Sequence, residues 1–131
     1  WIAARFDLIW VGSVFTHLDV PNCQRLLRHL AAFLAPGGVV AFTTHGQYAR
    51  NQMKAKSPVY RMKPEVLEQI LADCAATGHG YADYADWPGY GVSATTTEWV
   101  DGLIAESGLV KRLHQPAGWA KHQDVFVAER V

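Results

Sequence analysis

This chain of 131 residues contains no long hydrophobic run and has little charge. No apolar stretch reaches the ~18 residues that a membrane-spanning helix needs, and no segment resembles a signal peptide. The formal net charge is zero, which argues against the strongly basic surface of a nucleic-acid-binding protein. The sequence therefore predicts a cytoplasmic protein that binds neither a membrane nor a nucleic acid.

Cysteines and the motifs of several enzyme classes are also scarce. The two cysteines, Cys23 and Cys74, fall at apolar helical positions, and we expect both to be reduced core residues. There is no Walker loop and no G-x-G-x-x-G motif, and Gly12-Ser13-Val14-Phe15 lacks the second glycine of a nucleophile elbow. The histidines do not have metal-ligand spacing, so no metal site is expected.

Two apolar runs near the front of the chain carry the clearest structural signal. The run over 6–18 is almost unbroken and then changes to small and polar residues, which is typical of a buried strand that ends at a ligand-facing edge. Asp19 can cap the helix that follows, Pro36-Gly37-Gly38 ends it, and a second buried run covers 39–44. Strand, helix and strand form a parallel crossover unit, whose ligands bind beyond the carboxyl ends of the strands.

The rest of the chain predicts two further helices and two closing strands within one domain over 1–131. One helix covers 64–77, and Thr95-x-x-Glu98 is a capping box that begins the next. The closing strands are predicted over 109–114 and 124–129, joined by a long turn. The stretch 78–94 is rich in Gly, Tyr, Asp and Trp without a clean period, and we expect an irregular, lid-like insertion there.

This order of elements resembles the C-terminal half of a class I (Rossmann-like) S-adenosylmethionine-dependent methyltransferase. The resemblance rests on the run over 6–18, on Leu34-Ala35-Pro36-Gly37-Gly38, and on the closing helix–strand–strand unit. It implies an α/β fold: an incomplete, mixed but mostly parallel sheet of about four strands, flanked by helices, with an antiparallel last strand. It also implies that the glycine-rich loop and the acidic residue that bind the cofactor precede Trp1, so this chain alone is expected to be inactive.

The resemblance implies S-adenosylmethionine as the cofactor, with Gly12, Ser13 and Val14 facing it at the tip of the first strand. His17 follows at the same edge and is the candidate general base, since an imidazole titrates near neutral pH. A small-molecule or glycan-like acceptor is expected to contact five further residues: His45, Trp87, Tyr90, Trp119 and His122. Each has a purely structural alternative: an ordinary turn for Gly12–Val14, a helix cap for His17, and a satellite hydrophobic cluster for the aromatic residues.

A different class of protein stays open at this stage, namely a non-catalytic interaction or regulatory module that keeps the fold without the chemistry. In the resembled fold a further strand pairs beside the first strand of this chain. The segment Asp7 to Val11 would otherwise expose an apolar edge, and open hydrophobic edges recruit other chains. We therefore expect a homo-oligomer that forms through this edge.

Overall fold

A computed structural model describes residues 4–55 and 59–131 of the protein. These residues form a strand-and-helix alternation that ends in two strands. The elements are β1 (Phe6–Val11), α1 (Val20–Phe33), β2 (Leu34–Thr44), α2 (Gln47–Lys54), α3 (Pro64–Thr77), β3 (His79–Tyr84), β4 (Trp87–Thr95), α4 (Thr97–Glu106), β5 (Val110–Trp119) and β6 (Gln123–Glu129). A short 3₁₀ helix over Phe15–His17 follows β1. Within the described ranges, every helix is too short or too polar to cross a membrane.

The main sheet has four strands in the order β1-β2-β6-β5. β1 pairs parallel with β2, with Trp10 opposite Ala41, whereas β6 is antiparallel to both of its neighbours. Three strands consequently run in one direction and the last runs against them. This confirms the predicted mixed α/β sheet with an antiparallel last strand.

Helices α1 and α4 cover one face of this sheet. Leu27 and Val100 from the two helices share a buried core with Val40, Phe42 and Phe126 from the sheet. Both cysteines are buried and free of disulfides, as predicted. Burying these apolar side chains is the main favourable contribution to the free energy of folding.

The opposite face of the sheet is open at β1, which corrects one expectation. Leu8 and Trp10 point away from the core and are 62% and 49% exposed. The prediction that this strand is buried on both faces is therefore wrong for the part of the chain described. The physical reason is the position of β1, which lies at the edge of the sheet and packs against helices on one side only.

Capping residues set where the helices begin and end. The Asp19 side chain accepts a hydrogen bond from Asn22 N and begins α1, and Gly78 ends α3 with a φ of 90°, both as predicted. Helix α4 begins one residue later than expected. The Thr96 side chain, not that of Thr95, accepts the bond from Trp99 N, because Thr95 is a buried residue at the end of β4.

The stretch 78–94 is regular, so the prediction of irregular structure there is wrong. It forms an antiparallel hairpin of β3 and β4, with Tyr81 opposite Ser93. The base of the hairpin packs on α3, where Ile70 and Cys74 share a second core with Val92 and Ala94. The closing turn is also shorter than predicted, because β5 continues to Trp119.

Candidate functional site

The turn after β1 is fixed by a buried polar network at the carboxyl edge of the sheet. Ser13 N donates to Thr43 Oγ1 at 2.8 Å, and Gln123 Nε2 donates to Ser13 Oγ at 3.0 Å. Thr43 Oγ1 in turn donates to Gln123 Oε1 at 2.6 Å. Thr43 lies at the end of β2 and Gln123 at the start of β6, so three strands hold this turn in one geometry.

The conformation of this turn is unusual. Ser13 has a φ of 57°, which places a non-glycine residue in the left-handed region. Such residues cost on the order of 1–3 kcal/mol and cluster at ligand-binding sites. Gly12 has little room for a side chain, because a Cβ there would lie 3.1 Å from the indole nitrogen of Trp10, and Val14 is exposed. The turn is thus held in one geometry, with Val14 open to solvent.

Two histidines join the β3–β4 hairpin to this edge. His17 Nδ1 lies 2.7 Å from Gly91 O, and His45 Nδ1 lies 2.9 Å from Ser93 O. A carbonyl oxygen can only accept a hydrogen bond, so each Nδ1 donates. In the neutral form of either ring, Nε2 then carries the lone pair and can accept a proton.

His45 lies at the centre of a second, largely buried group. Burial lowers the pKa of His45 to about 4, with the nearby His122 and His17 as smaller causes in the same direction. The His45 ring lies 5.5 Å from the His122 ring and 4.8 Å from the Tyr60 ring. His45 is therefore neutral at physiological pH and acts as a hydrogen-bonding group rather than as a cation.

Tyr60 and His122 form a direct hydrogen bond of 2.6 Å between the phenol oxygen and Nε2. Burial raises the pKa of Tyr60 to about 12, and burial lowers the pKa of His122. Both groups are consequently neutral, and the Tyr60 hydroxyl donates to His122. This bond ties the segment before α3 to the turn before β6.

An open cleft of about 490 Å³ lies at the tip of the hairpin. Its lining includes Arg61, Tyr84, Asp86, Trp87 and Tyr90. The Tyr90 ring stacks on the His17 ring, with centroids 4.8 Å apart and planes inclined by 30°. We call this cleft the aromatic cleft. The candidate base His17 contacts its Tyr90 wall and is not one of its lining residues.

The structure brings some of the predicted site residues together and separates others. Trp87 and Tyr90 line the aromatic cleft, His17 contacts it through Tyr90, and His45 and His122 pack against each other. Trp119 packs edge-on against Trp10, with centroids 5.8 Å apart, and does not line the cleft. Trp119 thus lies beside the turn at Gly12, not among the other candidates for acceptor binding.

Several residues of this edge were not predicted from the sequence: Tyr60, Ser93 and Gln123. Tyr60 lies in a stretch without periodicity, and its partner His122 is 62 residues away. No local pattern signals such a contact.

Two buried hydroxyls, those of Thr16 and Thr44, have no hydrogen-bond partner in the described part of the chain.

Metal ligands do not converge here. Among residues 4–55 and 59–131, no group of three or more His, Cys, Asp or Glu side chains could hold a metal ion. The aromatic cleft and the strand edge thus offer aromatic rings, neutral imidazoles and hydroxyls. These groups suit binding and proton transfer.

The strand order, with an antiparallel strand inserted beside β2, matches a methyltransferase-like fold. No protein-family model and no curated protein matches the sequence. Solved structures do match. An O-methyltransferase family protein from Burkholderia thailandensis superposes with a TM-score of 0.61 at 14% identity, over 98% of this chain and 31% of that chain.

Two further similar structures were solved with small molecules. An O-methyltransferase family 2 protein from Planctomyces limnophilus, in complex with apigenin, has a TM-score of 0.58 at 20% identity, over 95% of this chain and 30% of its own. A 1,6-didemethyltoxoflavin-N1-methyltransferase from Burkholderia thailandensis was solved with 1,6-didemethyltoxoflavin and S-adenosylhomocysteine. It has a TM-score of 0.62 at 14% identity, over 96% of this chain and 44% of that chain. The chain spans between 30% and 44% of the length of these three proteins.

Proposed function

We propose that this chain carries the acceptor side of an S-adenosylmethionine-dependent methyltransferase that acts on a small-molecule or glycan-like acceptor. The observation that carries the proposal is the aromatic cleft, whose wall at Tyr90 stacks directly on His17 at the carboxyl edge of the sheet. Similar structures that hold apigenin and 1,6-didemethyltoxoflavin support a small-molecule acceptor. Flat rings with polar groups suit a planar, hydroxylated ligand.

The residues present fit one side of the cofactor. The turn Gly12–Val14 is rigid, lacks bulk at Gly12 and is exposed at Val14, which permits close approach of an adenosine or methionine group. The glycine-rich loop and the ribose-binding carboxylate of the resembled fold do not occur in this sequence. We therefore propose that the chain contributes one wall to cofactor binding and does not turn over alone.

When bound, the cofactor supplies an electrophilic methyl group on a sulfonium. The rings of Trp87 and Tyr90 would hold the acceptor so that its hydroxyl or amine faces His17. In that arrangement His17 Nε2, left free by the bond from Nδ1 to Gly91 O, would accept the proton of the acceptor's hydroxyl or amine. Alignment of the two reactants lowers the barrier as well, independently of the base.

The β3–β4 hairpin would serve as the lid of this site. It is held to the sheet edge through His17 and His45, while its tip, with Trp87 at 63% exposure, faces solvent. A bound acceptor would cover part of this exposed aromatic surface. We further propose a cytoplasmic location, in keeping with two reduced, buried cysteines.

A non-catalytic interaction module is the second candidate, favoured by the exposed apolar side chains of β1. The reading frame upstream of Trp1 discriminates the two. An upstream glycine-rich strand–turn, with methyl transfer from S-adenosylmethionine by the longer chain, is the result we expect. A longer chain without that loop and without methyl transfer would favour the interaction module.

A further inference from the structure

We propose that Arg61 selects the acceptor by its charge, and that the acceptor of this site is a planar aromatic molecule that carries an anionic group. The inference rests on the proposed function, because it assigns the aromatic cleft to the acceptor. It goes further in naming the chemical class of the acceptor and the residue that recognises it. Neither follows from the fold.

The backbone at Tyr60 and Arg61 is the first observation. These consecutive residues have φ values of 59° and 54°, so two neighbouring non-glycine residues are left-handed. A conformation of this kind persists only where its surroundings enforce it. The hydrogen bond from Tyr60 to His122 and the packing of the Tyr60 ring on His45 supply that enforcement. The strained turn places Arg61 in the lining of the aromatic cleft.

The charges of the cleft lining are the second observation. Among residues 4–55 and 59–131, the charged side chains that line the cleft are Arg61 and Asp86. A guanidinium binds a carboxylate through two parallel hydrogen bonds, which a neutral ring substituent cannot reproduce. Asp86, in the hairpin turn, would repel an anionic group. The anionic group of a ligand would therefore lie toward Arg61.

The aromatic walls are the third observation, since they offer flat apolar surfaces to such a ligand. The Trp87 and Tyr90 ring centroids lie 5.7 Å apart, and those of Tyr84 and Tyr90 lie 5.2 Å apart. Tyr90 in turn contacts His17. A planar acceptor bound by these rings would have its anionic group at Arg61 and its methyl-accepting atom near His17. Arg61 thus orients the acceptor in addition to selecting it.

The test compares the binding of 2-naphthoate and 2-naphthol to the 131-residue chain at about neutral pH, followed by calorimetry and tryptophan fluorescence. These probes share a ring system and differ in the carboxylate. We expect 2-naphthoate to bind about fivefold more tightly, the effect of one exposed ion pair. Arg61→Gln should abolish this preference and leave the affinity for 2-naphthol unchanged. Arg61→Lys should retain part of the preference.

Two further variants separate this inference from the proposed function. Arg25→Gln changes an exposed arginine of α1 that does not line the cleft, and it should leave the preference intact. Trp87→Ala should weaken both probes. Equal binding of the probes, with both weakened by Trp87→Ala, would overturn the role of Arg61 and leave the acceptor cleft standing. Binding of neither probe would overturn both proposals.

Discussion

At the scale of single residues, the candidate site depends on which nitrogen of each histidine carries a hydrogen. His17 and His45 each donate through Nδ1 to a carbonyl of β4, at Gly91 and Ser93. The two carbonyls are two residues apart on one strand, so both point to the same edge of the hairpin. The two contacts that position the imidazoles also hold the hairpin to the sheet edge. A change that breaks them would therefore alter the geometry of the candidate site and the stability of the hairpin together.

The buried His45 predicts a pH dependence of stability. Its folded-state pKa of about 4 lies below the ordinary value of 6.5, so the unfolded chain takes up a proton first as the pH falls. The contribution of His45 is therefore fully present above about pH 6.5, is lost as the pH falls toward 4, and is constant below that. We expect this residue to account for about 2 kcal/mol of the fall in unfolding free energy from about pH 7 to about pH 5.

Urea unfolding of His45→Gln at these two pH values checks the prediction. The glutamine amide can still donate to Ser93 O but does not titrate. Between these pH values, the unfolding free energy of the variant should fall less than that of the wild type. The pH dependence that remains comes from His79, because burial also lowers its pKa to about 4. His29→Gln, which changes an exposed histidine, should keep the full slope. Equal losses in the wild type and His45→Gln would refute the assignment.

At the scale of elements, the crossover unit β1–α1–β2 was predictable and the hairpin was not. The unit has continuous apolar strands and an Asp19 cap, which are local signals. The prediction that Pro36-Gly37-Gly38 ends the helix is wrong, because α1 ends at Phe33 and these residues lie within β2. The hairpin buries its base against α3 and exposes its tip, so its sequence shows neither alternation nor a continuous apolar run. Its regularity comes from tertiary contacts that the local sequence does not encode.

The residues of the candidate site also divide into those with local sequence signals and those placed by tertiary contacts. Gly12–Val14 could be placed at the tip of a strand because the strand itself is evident in the sequence. The Tyr60–His122 hydrogen bond could not be predicted, because it joins segments 62 residues apart. Trp119 was predicted to lie in a turn, but it is the last residue of β5 and packs on Trp10. Its contact with an acceptor stays a prediction.

The packing of β3 on α3 predicts that Gly80→Ala is strongly destabilising. A Cβ at Gly80 would lie 1.9 Å from the backbone oxygen of Ile70, a contact that neither element can relieve without separating. We expect a loss of about 2–3 kcal/mol in unfolding free energy, typical of overpacking against backbone. Chemical denaturation measures the loss.

Gly102→Ala is the matched control for this substitution. Gly102 lies within α4, and a Cβ there would meet nothing within 4 Å. Alanine at such a helical position should raise the unfolding free energy by about 0.5–1 kcal/mol. If Gly80→Ala were as stable as the wild type, the close packing of β3 on α3 would be contradicted.

At the scale of the whole molecule, the main feature is that helices cover one face of the sheet while both edge strands expose apolar side chains. One face is covered by α1 and α4, while Leu8 and Trp10 expose apolar surface at the β1 edge. β5 is the other edge strand and also exposes an apolar residue, Leu113. Because unprotected apolar edges tend to pair with other chains, we still expect a homo-oligomer that forms through the β1 edge.

The prediction at this scale is that Leu8→Lys dissociates the oligomer. A lysine on an edge strand opposes pairing because its charge would have to be desolvated in the interface. Light scattering should find an oligomer for the wild type and a monomer for Leu8→Lys. Leu113→Lys, on the opposite edge, should keep the oligomer. A monomeric wild type, or dissociation by Leu113→Lys alone, would rule out the β1 edge as the interface.

The central claim is that the turn over 12–14 forms one wall of a cofactor site. Titration of the isotopically labelled chain with S-adenosylhomocysteine, followed residue by residue by NMR, tests it most directly. The account predicts shifts of the Gly12, Ser13 and Val14 signals with a dissociation constant weaker than about 0.1 mM, since one wall supplies little binding energy. Unchanged signals at these three residues, or micromolar binding elsewhere on the chain, would contradict it.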